Sequence, residues 1–379
     1  MADSTSDRKM RVLHVIIMLG ETNGQYNEHC LPLMHERDIS IVTYFVPKLT
    51  PPPEITVFAG DGSLRGFFRA LKNALQASEY DVVHAHAPQT GTLLMLGALA
   101  WRRFSKLRPS LVYTAQDSFH NYKPRNRAMM VLCLATFTRI VFCSRSAYES
   151  LPRALERLVR GRSRVVQNGA DLERVDRAVA GRAGERNGHG FTVISVGRLE
   201  RVKDPIAVLE AFRRSLGEDP ASRVVFVGAG ELAPSITTRA RELGLEDRVI
   251  LTGLIPRDDV FVLCADADVF VSTSHGEGLP VAVLEAMAAG CPVILSDIPP
   301  HRELAEGADF IPFVAPGDVD GFAAEIRRYH EMTAEERRRI GRTCRGHMAA
   351  RFTLPIMRAA TEAVYRELAP SAGGAAPTR

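Results

Sequence analysis

The sequence predicts an α/β protein made of two doubly wound units. Two observations carry this. Short apolar runs of strand length alternate with helix-length amphipathic segments along most of the 379 residues, the pattern of parallel sheets covered on both faces by helices. The alternation breaks once, at Arg174–Gly190, where DRAVAGRAGERNGHG is small, charged and Gly-rich, and then it restarts. Two Rossmann-like domains joined by one linker follow, and in such sheets ligands bind outside the carboxyl ends of the strands. Two of these units facing each other would make a cleft. The expected domains are 1–173, a linker at 174–190, and 191–353. A helix at 354–368 is assigned to the first domain, and 369–379 is read as a disordered tail because SAGGAAPTR lacks apolar residues of any size.

In the first unit the strand candidates are RVLHVII, ISIVTYF, DVVHAH, SLVYTA, RIVFCS and RVVQNG. Helical patterns occupy Asn27–Arg37, Leu64–Ala77, Thr90–Phe104, Asn126–Phe137 and Ala147–Arg160. In the second unit the strands are FTVISVG, ASRVVFVG, RVILTG, ADVFVST, PVILS and DFIPF, with helices between them and more helices through Leu368.

Composition narrows the function classes. An apolar fraction of 46% and a charged fraction of 24% are those of a globular protein. The net charge of +4 suits phosphate-bearing ligands or anionic lipid, and without a basic tract interleaved with aromatics no nucleic-acid partner is expected. The six cysteines are scattered without a C-x-x-C pair and read as reduced core thiols. The N-terminus is polar rather than a signal peptide, and the apolar run Leu93–Trp101 is short of the ~20 residues a membrane span needs. A cytoplasmic protein is expected. Basic, aromatic segments at Thr90–Arg108 and Arg65–Leu75 suggest peripheral contact with an anionic inner membrane face; a buried helix with a solvated basic end is the plainer reading.

The stretch Ser272–Ile294, STSHGEGLPVAVLEAMAAGCPVI, concentrates the chemistry. It runs from the apolar strand Val269–Val271 through a Gly-rich loop to Pro280, placed at a helix start, and Gly290 and Pro292 close the helix. Glu277 in the loop and Glu285 in the helix should lie roughly 10 Å apart. That is too far for the carboxylate pair of a retaining glycosidase, which needs about 5 Å. It suits two ends of one long ligand, with an anion-attracting helix N-terminus between them, the layout for a nucleotide-sugar.

Other loops at strand ends supply further candidates. Arg198 and Lys203, in the loop that begins at Gly197, are cations where a departing diphosphate would sit; the alternative is a pair of solvated surface charges. Gly228 and Gly230 follow a strand and would allow close backbone passage beside a nucleotide. Gly20, Glu21, Asn23, Gly24 and Gln25 form the first strand–helix turn, suited to a phosphate or sugar. His120, with Gln116, Asp117 and Lys123 nearby, is the first-domain candidate for touching sugar or acceptor, and His86 is a further candidate contact. His14 reads as core. Asp266 and Asp268 form an Asp-x-Asp at the amino end of a strand and are read as element-end chemistry. Neither they nor any H-x-x-x-H, H-E-x-x-H or Cys/His set predicts a metal site.

These motifs together resemble glycosyltransferase family 4, retaining enzymes of the GT-B fold, over nearly the whole chain. The most specific part is the E-x7-E spacing of Glu277 and Glu285; SVGRLERVKD, VQNGAD, FVGAGEL and LTGLIPRDDV support it. The resemblance implies that Arg198 and Lys203 bind the donor diphosphate and that Glu277 lies by the donor sugar. It implies backbone contacts from Gly278, Leu279 and Pro280, a ribose contact from Glu285, and a base-side passage at Gly253, Leu254 and Ile255. It also implies a last helix that crosses back to the first domain and a metal-independent reaction, with no cofactor beyond the nucleotide-sugar substrate. The chain departs from the family pattern at Glu21, where a second glycine is common, and at Gln116, where many members carry histidine.

The expected function is retaining transfer of a hexosyl group from a nucleotide-diphosphate sugar, expected to be UDP-linked, to an acceptor hydroxyl on a glycan, a lipid-linked glycan or a small molecule. A nucleotide-sugar epimerase of the same fold is the alternative enzyme. A non-catalytic sugar- or nucleotide-binding protein is disfavoured by the set Arg198, Lys203, Glu277 and Glu285.

Overall fold

The structure is a computed structural model and describes residues 9–20, 23–102, 109–181 and 190–368. Contacts divide the chain into two units, one of residues up to Gln167 and from Met357 onward, the other Asn168–Ile356. The first contains seven parallel strands: β1 Arg11–Ile16, β2 Asp38–Thr43, β3 Ile55–Phe58, β4 Val82–Ala85, β5 Ser110–Ala115, β6 Arg139–Phe142 and β7 Ser163–Val165. Their order is β3-β2-β1-β4-β5-β6-β7. The second contains six: β8 Thr192–Val196, β9 Arg223–Val227, β10 Val249–Gly253, β11 Val269–Ser272, β12 Val293–Ser296 and β13 Phe313–Val314, in the order β10-β9-β8-β11-β12-β13. Both orders reverse once, between β1 and β4 and between β8 and β11, and a doubly wound sheet opens a ligand crevice at such a switch point.

Why the strands of the second unit read as unbroken apolar runs is visible in its cores. Val193, Val224, Phe226, Val269, Val271 and Ile294 point into one hydrophobic cluster, while Ile194, Val225, Val227, Phe270, Val293 and Leu295 point into another. Successive side chains alternate between faces and both faces are buried, so apolar residues occupy consecutive positions. The first sheet differs. One face is a hydrophobic core built on Leu13, Val15, Val83, Tyr113 and Phe142. On the other, His14 and His84 are register partners on β1 and β4, the Thr114 hydroxyl of β5 reaches His84 Nε2, and all three are buried.

The terminal helix Leu354–Arg366 ends on the first unit. Glu362 pairs with Arg37, Glu367 with Arg139 and Arg164, and the Tyr365 hydroxyl lies 2.6 Å from His84 Nδ1.

Several expected elements change. The linker reading of 174–190 is corrected at its start, because Leu172–Ala180 is a helix capped by Asp171. Leu172, Val175 and Val179 recur at helical spacing and pack on the second unit's core, which the charged composition conceals. Residues 182–189 of that linker lie outside the described residues, as do Glu21 and the tail 369–379. The helix expected at Asn27–Arg37 is instead a π-helical turn, Gln25–Cys30, followed by a 3-10 turn, Leu31–Leu33, because Pro32 has no N–H to continue an α-helix. Pro152 likewise splits Ala147–Arg160 into helices at Arg145–Glu149 and Arg153–Val159. Strand β3 follows three prolines and pairs only with β2, which is why its four residues escape a pattern search.

Of the two basic aromatic segments, Leu64–Ala77 is an amphipathic helix. Phe67 is buried while Arg65, Arg69 and Lys72 are exposed, so it serves the core first. The other segment begins within a helix, Pro88–Arg102, and its basic residues Arg103, Lys106 and Arg108 lie outside the described residues. Among the described residues no helix is long and apolar enough to cross a membrane.

Candidate active site

The switch point of the second unit brings two loops together, Gly197–Asp204 after β8 and Thr273–Pro280 after β11. They are tied by the Thr273 hydroxyl, which donates to the carbonyls of Lys203 and Asp204 at 3.0 and 2.7 Å, and by the His275 amide, which donates to Val202 O at 2.8 Å. Asp204 takes a left-handed conformation, φ 48°, costly for a residue with a Cβ. Its carboxylate accepts from the Ala207 amide and lies 3.0 Å from His275 Nε2, so both neighbouring elements hold it there. The strained residue fixes the side chain just before it, Lys203.

Lys203 Nζ reaches Glu277 Oε1 at 2.5 Å, and the Ser274 hydroxyl donates to the same oxygen at 2.7 Å. Burial pushes the Glu277 carboxyl up, but the Lys203 ammonium, the proximity of His301 and the two hydrogen bonds outweigh it and hold it below the usual carboxylate range. Glu277 is therefore an anion at neutral pH. Behind it, the Ser296 hydroxyl donates to Ser274 O at 2.6 Å and His301 Nδ1 lies 2.8 Å from Ser296 O. His301 is fully buried and its Nε2 has no partner.

The helix Val281–Ala288 follows directly, with Pro280 at its N-cap rather than inside it. Asn168 donates to Leu279 O at 2.9 Å and so pins the turn that enters the helix. Residues Val283–Ala288 are all buried, the signature of a helix that is apolar all round. Glu285 is thus committed to the interior, and Arg257 meets it, with Nε 2.6 Å from Oε1. Burial raises the Glu285 carboxyl, only partly offset by the charge and hydrogen bonding of Arg257 and by Arg174. The two glutamates of the spacing motif have separate cations, Lys203 and Arg257.

The remaining expected residues divide. Arg198 is largely exposed, on the same loop as Lys203, and pairs with Glu200 at 2.8 Å. Gly228 has φ +134°, and a Cβ there would stand 2.0 Å from Gly197 O; one at Gly230 would stand 2.3 Å from Leu199 O. These glycines let the Arg198 loop lie flat on the next strand end, which accounts for them without any ligand. Gly228→Ala is expected to lower stability by about 3 kcal/mol, measurable by urea denaturation of the full chain. Gly253 ends β10 and bridges to Gly228, Leu254 is exposed and Ile255 half-buried. Gly278 and Leu279 are buried in the loop.

In the first unit, Asn23 Nδ2 donates to Met18 O and its Oδ1 accepts from the Tyr26 amide, so it ties the chain just after β1 to the start of the Gln25–Cys30 turn, with Gly20 and Gly24 on either side of it and Gln25 as that turn's first residue. Asp117 accepts from the Ser118 amide and from Asn121, again closing a turn. His120 and Lys123 are exposed, and Gln116 keeps a buried Nε2 without a partner. His86 is buried among His14, His29 and His84. Sequence reasoning missed Ser274, Arg257, His301 and the hydrogen bond of Asn168. Asn168, Arg257 and Ser274 lie inside the stretches VQNGAD, LTGLIPRDDV and STSHGEG, with no role assigned to them there; His301 lies in none.

A doubly wound pair of units, with a buried glutamate–lysine pair at the switch point of the second and a helix start beside it, defines the GT-B class of glycosyltransferases. Family models match in both halves, Glycosyltransferase Family 4 at residues 30–174 and Glycosyl transferases group 1 at 179–347. A UDP-Gal:alpha-D-GlcNAc-diphosphoundecaprenol alpha-1,3-galactosyltransferase of Escherichia coli is 30% identical over 78% of this chain and 77% of its own length. A GDP-mannose:cellobiosyl-diphosphopolyprenol alpha-mannosyltransferase of Xanthomonas campestris is 30% identical over 59% of this chain and 58% of its own. Among solved structures, Anabaena HepE in complex with UDP superposes with a TM-score of 0.75 at 18% identity, over 94% of this chain and 100% of that one. The chain belongs to glycosyltransferase family 4.

Proposed function

We propose that this glycosyltransferase moves a hexosyl group from a UDP-sugar to a hydroxyl of a polyprenyl-diphosphate-linked glycan, with retention of the anomeric configuration. The observation that carries the donor half is the Lys203–Glu277 pair held at the switch point beside the Val281 helix start. A cation there suits a diphosphate, and an anion one loop away suits sugar hydroxyls. The E. coli relative's name, with a UDP-linked donor and a diphosphoundecaprenol acceptor, supports the choice of nucleotide and acceptor.

In this reading the bond between the sugar's anomeric carbon and the diphosphate oxygen breaks, and the acceptor oxygen bonds to that carbon on the same face. The leaving diphosphate takes the acceptor's proton. Lys203, with Arg198 at the mouth of the loop, stabilises the negative charge that grows on the diphosphate, in the role a metal ion would otherwise fill. Glu277 is held ionised by Lys203 and Ser274 and accepts from the sugar. Glu285 sits too deep and too well paired with Arg257 for acid–base work, and its contact is with the ribose diol. Peripheral contact with an anionic membrane, through Arg65, Arg69 and Lys72, would bring the chain to its lipid-linked acceptor.

A donor screen tests this. UDP release is expected from one or a few UDP-sugars, strongly accelerated by a polyprenyl-diphosphate-linked acceptor. Release only from GDP- or ADP-sugars would overturn the assignment of the base, and an epimer formed without acceptor would favour the epimerase reading.

A further inference from the structure

Glu277 stands at the end of a run of buried polar side chains that leads back to His301. Ser272 ends β11 and Ser296 ends β12, the neighbouring strand; Ser274 lies in the loop after β11, and His301 comes from the helix Pro299–Leu304. None of the four is more than 8% exposed, and Ser296 and His301 are fully buried. At the ends of strands that are otherwise apolar, such a set persists only if its members are paired.

Each hydroxyl has one proton to give, and that fixes the direction of every bond. Ser274 gives its proton to Glu277 Oε1 at 2.7 Å, on a carboxylate that can only accept. The Ser272 hydroxyl, 3.2 Å from Ser274 Oγ, must then be the donor of that pair. Two aligned hydroxyls thus end on the carboxylate, an arrangement in which each bond strengthens the next. Ser296 gives its proton to Ser274 O at 2.6 Å. His301 Nδ1 lies 2.8 Å from Ser296 O and 3.1 Å from Ser296 Oγ, and since a carbonyl only accepts, the ring proton is on Nδ1. Nε2 keeps its lone pair and has no partner. A second ring proton would be buried there unpaired. Burial, seconded by the Lys203 charge, holds the imidazole below its ordinary range against the pull of Glu277 and Ser296 O.

We propose that His301 is a positioning residue for the transfer reaction: through Ser296 it holds the Ser274 backbone in place, so that the Ser274 hydroxyl stays on Glu277 Oε1 and the carboxylate keeps its orientation toward the donor sugar. The proposal rests on the reading of Glu277 as the sugar contact. The loop that carries Glu277, Ser274–Gly278, is polar and Gly-rich and has little of its own to hold it. On one side Thr273 and His275 tie it to the Lys203 loop. On the other side Ser296 and His301 tie it to the end of β12. Lys203 supplies charge to Glu277 Oε1 from a flexible arm, which does not fix the carboxylate's rotation; a second donor on the same oxygen, carried by an anchored backbone, does. The titratable groups acting on Glu277 are Lys203 and His301, and the flanking Asp204 and His275 pair with each other at 3.0 Å.

The test joins turnover to a titration that needs no substrate. In the full chain without ligand, the Glu277 carboxyl is followed by carbon-13 NMR and assigned with Glu277→Gln. Ser274→Ala, Ser296→Ala and His301→Leu should each move its midpoint upward, because a hydrogen bond to the charged form is lost or loosened. With the selected UDP-sugar and a polyprenyl-diphosphate-linked acceptor, kcat should fall about 10-fold or more in Ser274→Ala, the scale of one hydrogen bond to a charged group, and the acid limb of its pH profile should move to higher pH. His301→Leu and Ser296→Ala should shift that limb in the same direction. His301→Asn, whose amide N–H takes the place of Nδ1–H, should recover most of the His301→Leu loss. Since His301 acts through Ser274, Ser274→Ala/His301→Leu should be no slower than Ser274→Ala alone. Circular dichroism checks folding, and if His301→Leu does not fold, Ser296→Ala takes its place in the same comparison. Additive losses in the double variant, or a Glu277 midpoint unmoved in folded His301→Leu and Ser296→Ala, would overturn the proposal. A parent that releases no UDP from any UDP-sugar would overturn the donor reading instead, and the titration would still decide whether His301 sets Glu277.

Discussion

Lys203→Ala is expected to cost about 100-fold or more in kcat, the scale of losing one preorganised charge at a departing anion. The effect has two sources. Lys203 is the cation the donor diphosphate would meet, and it is also the partner that keeps Glu277 ionised. Removing it leaves a buried carboxylate without its cation, so stability should fall as well, by about 2–3 kcal/mol once the partial exposure of Lys203 is allowed for. The pH dependence separates the two. In the parent the Glu277 carboxyl is held below its unfolded value, so its contribution is fully present above the unfolded pKa and is lost as pH falls through the folded one. Without Lys203 the burial effect dominates and the carboxyl moves up, so the variant's stability deficit should shrink on acidification while its turnover stays low. Lys203→Arg keeps the charge and should recover most of the stability, but a planar guanidinium on a longer arm should not recover full turnover. Near-parental kcat in a folded Lys203→Ala chain would remove Lys203 from the mechanism.

Arg257→Ala is expected to destabilise the second unit by about 3–5 kcal/mol, because it strands Glu285 inside the apolar cluster around Leu284, Phe261 and Cys264. Arg257 is only 15% exposed in its side chain and Glu285 9%, so solvent screens the pair little. The Glu285 carboxyl is already raised in the parent, and loss of Arg257 raises it further. For a raised acid the native state holds the proton longer, so stability falls as pH rises through the window between the unfolded and folded values. Thermal unfolding of Arg257→Ala should show a deficit that is greatest in alkali and shrinks as the pH falls and the buried, unpaired carboxyl takes up its proton. Arg257→Ala/Glu285→Gln should recover much of the loss at neutral pH. A deficit independent of pH, unrelieved by the second substitution, would mean that Arg257 acts through packing instead.

These two cases show what the sequence makes legible. Glu277, Glu285 and Lys203 could be placed at strand ends and a helix start because the apolar runs of the second unit are continuous, a consequence of a sheet buried on both faces. Five strands of that sheet appear in the pattern, and the sixth, Phe313–Val314, begins at the last residue of the expected DFIPF. In the first unit β3 hides behind Pro51–Pro53 and a helix is interrupted at Pro32, since proline changes local structure without changing hydrophobic period. Arg257 could not be assigned to Glu285, nor His301 to the back of the Glu277 loop, because both pairings depend on the order of strands and not on spacing along the chain. The histidine cluster is the extreme case. His14 and His84 are 70 residues apart, and only the pairing of β1 with β4 makes them neighbours. Gly228 and Gly230 teach the converse: a G-x-G that suits a nucleotide loop also serves the close passage of the Gly197–Leu199 backbone, which spacing along the chain does not show.

The central claim is retaining transfer from a nucleotide-sugar whose diphosphate is seated at Lys203. It is tested most directly by following the anomeric carbon in carbon-13 NMR, with the UDP-sugar that the donor screen selects, labelled at that carbon, and a polyprenyl-diphosphate-linked glycan as acceptor. The account predicts an α-linked product from the α-linked donor, formed in step with free UDP, and strongly reduced in Lys203→Ala. A β-linked product, or an α-linked one formed as fast by Lys203→Ala as by the parent, would contradict it.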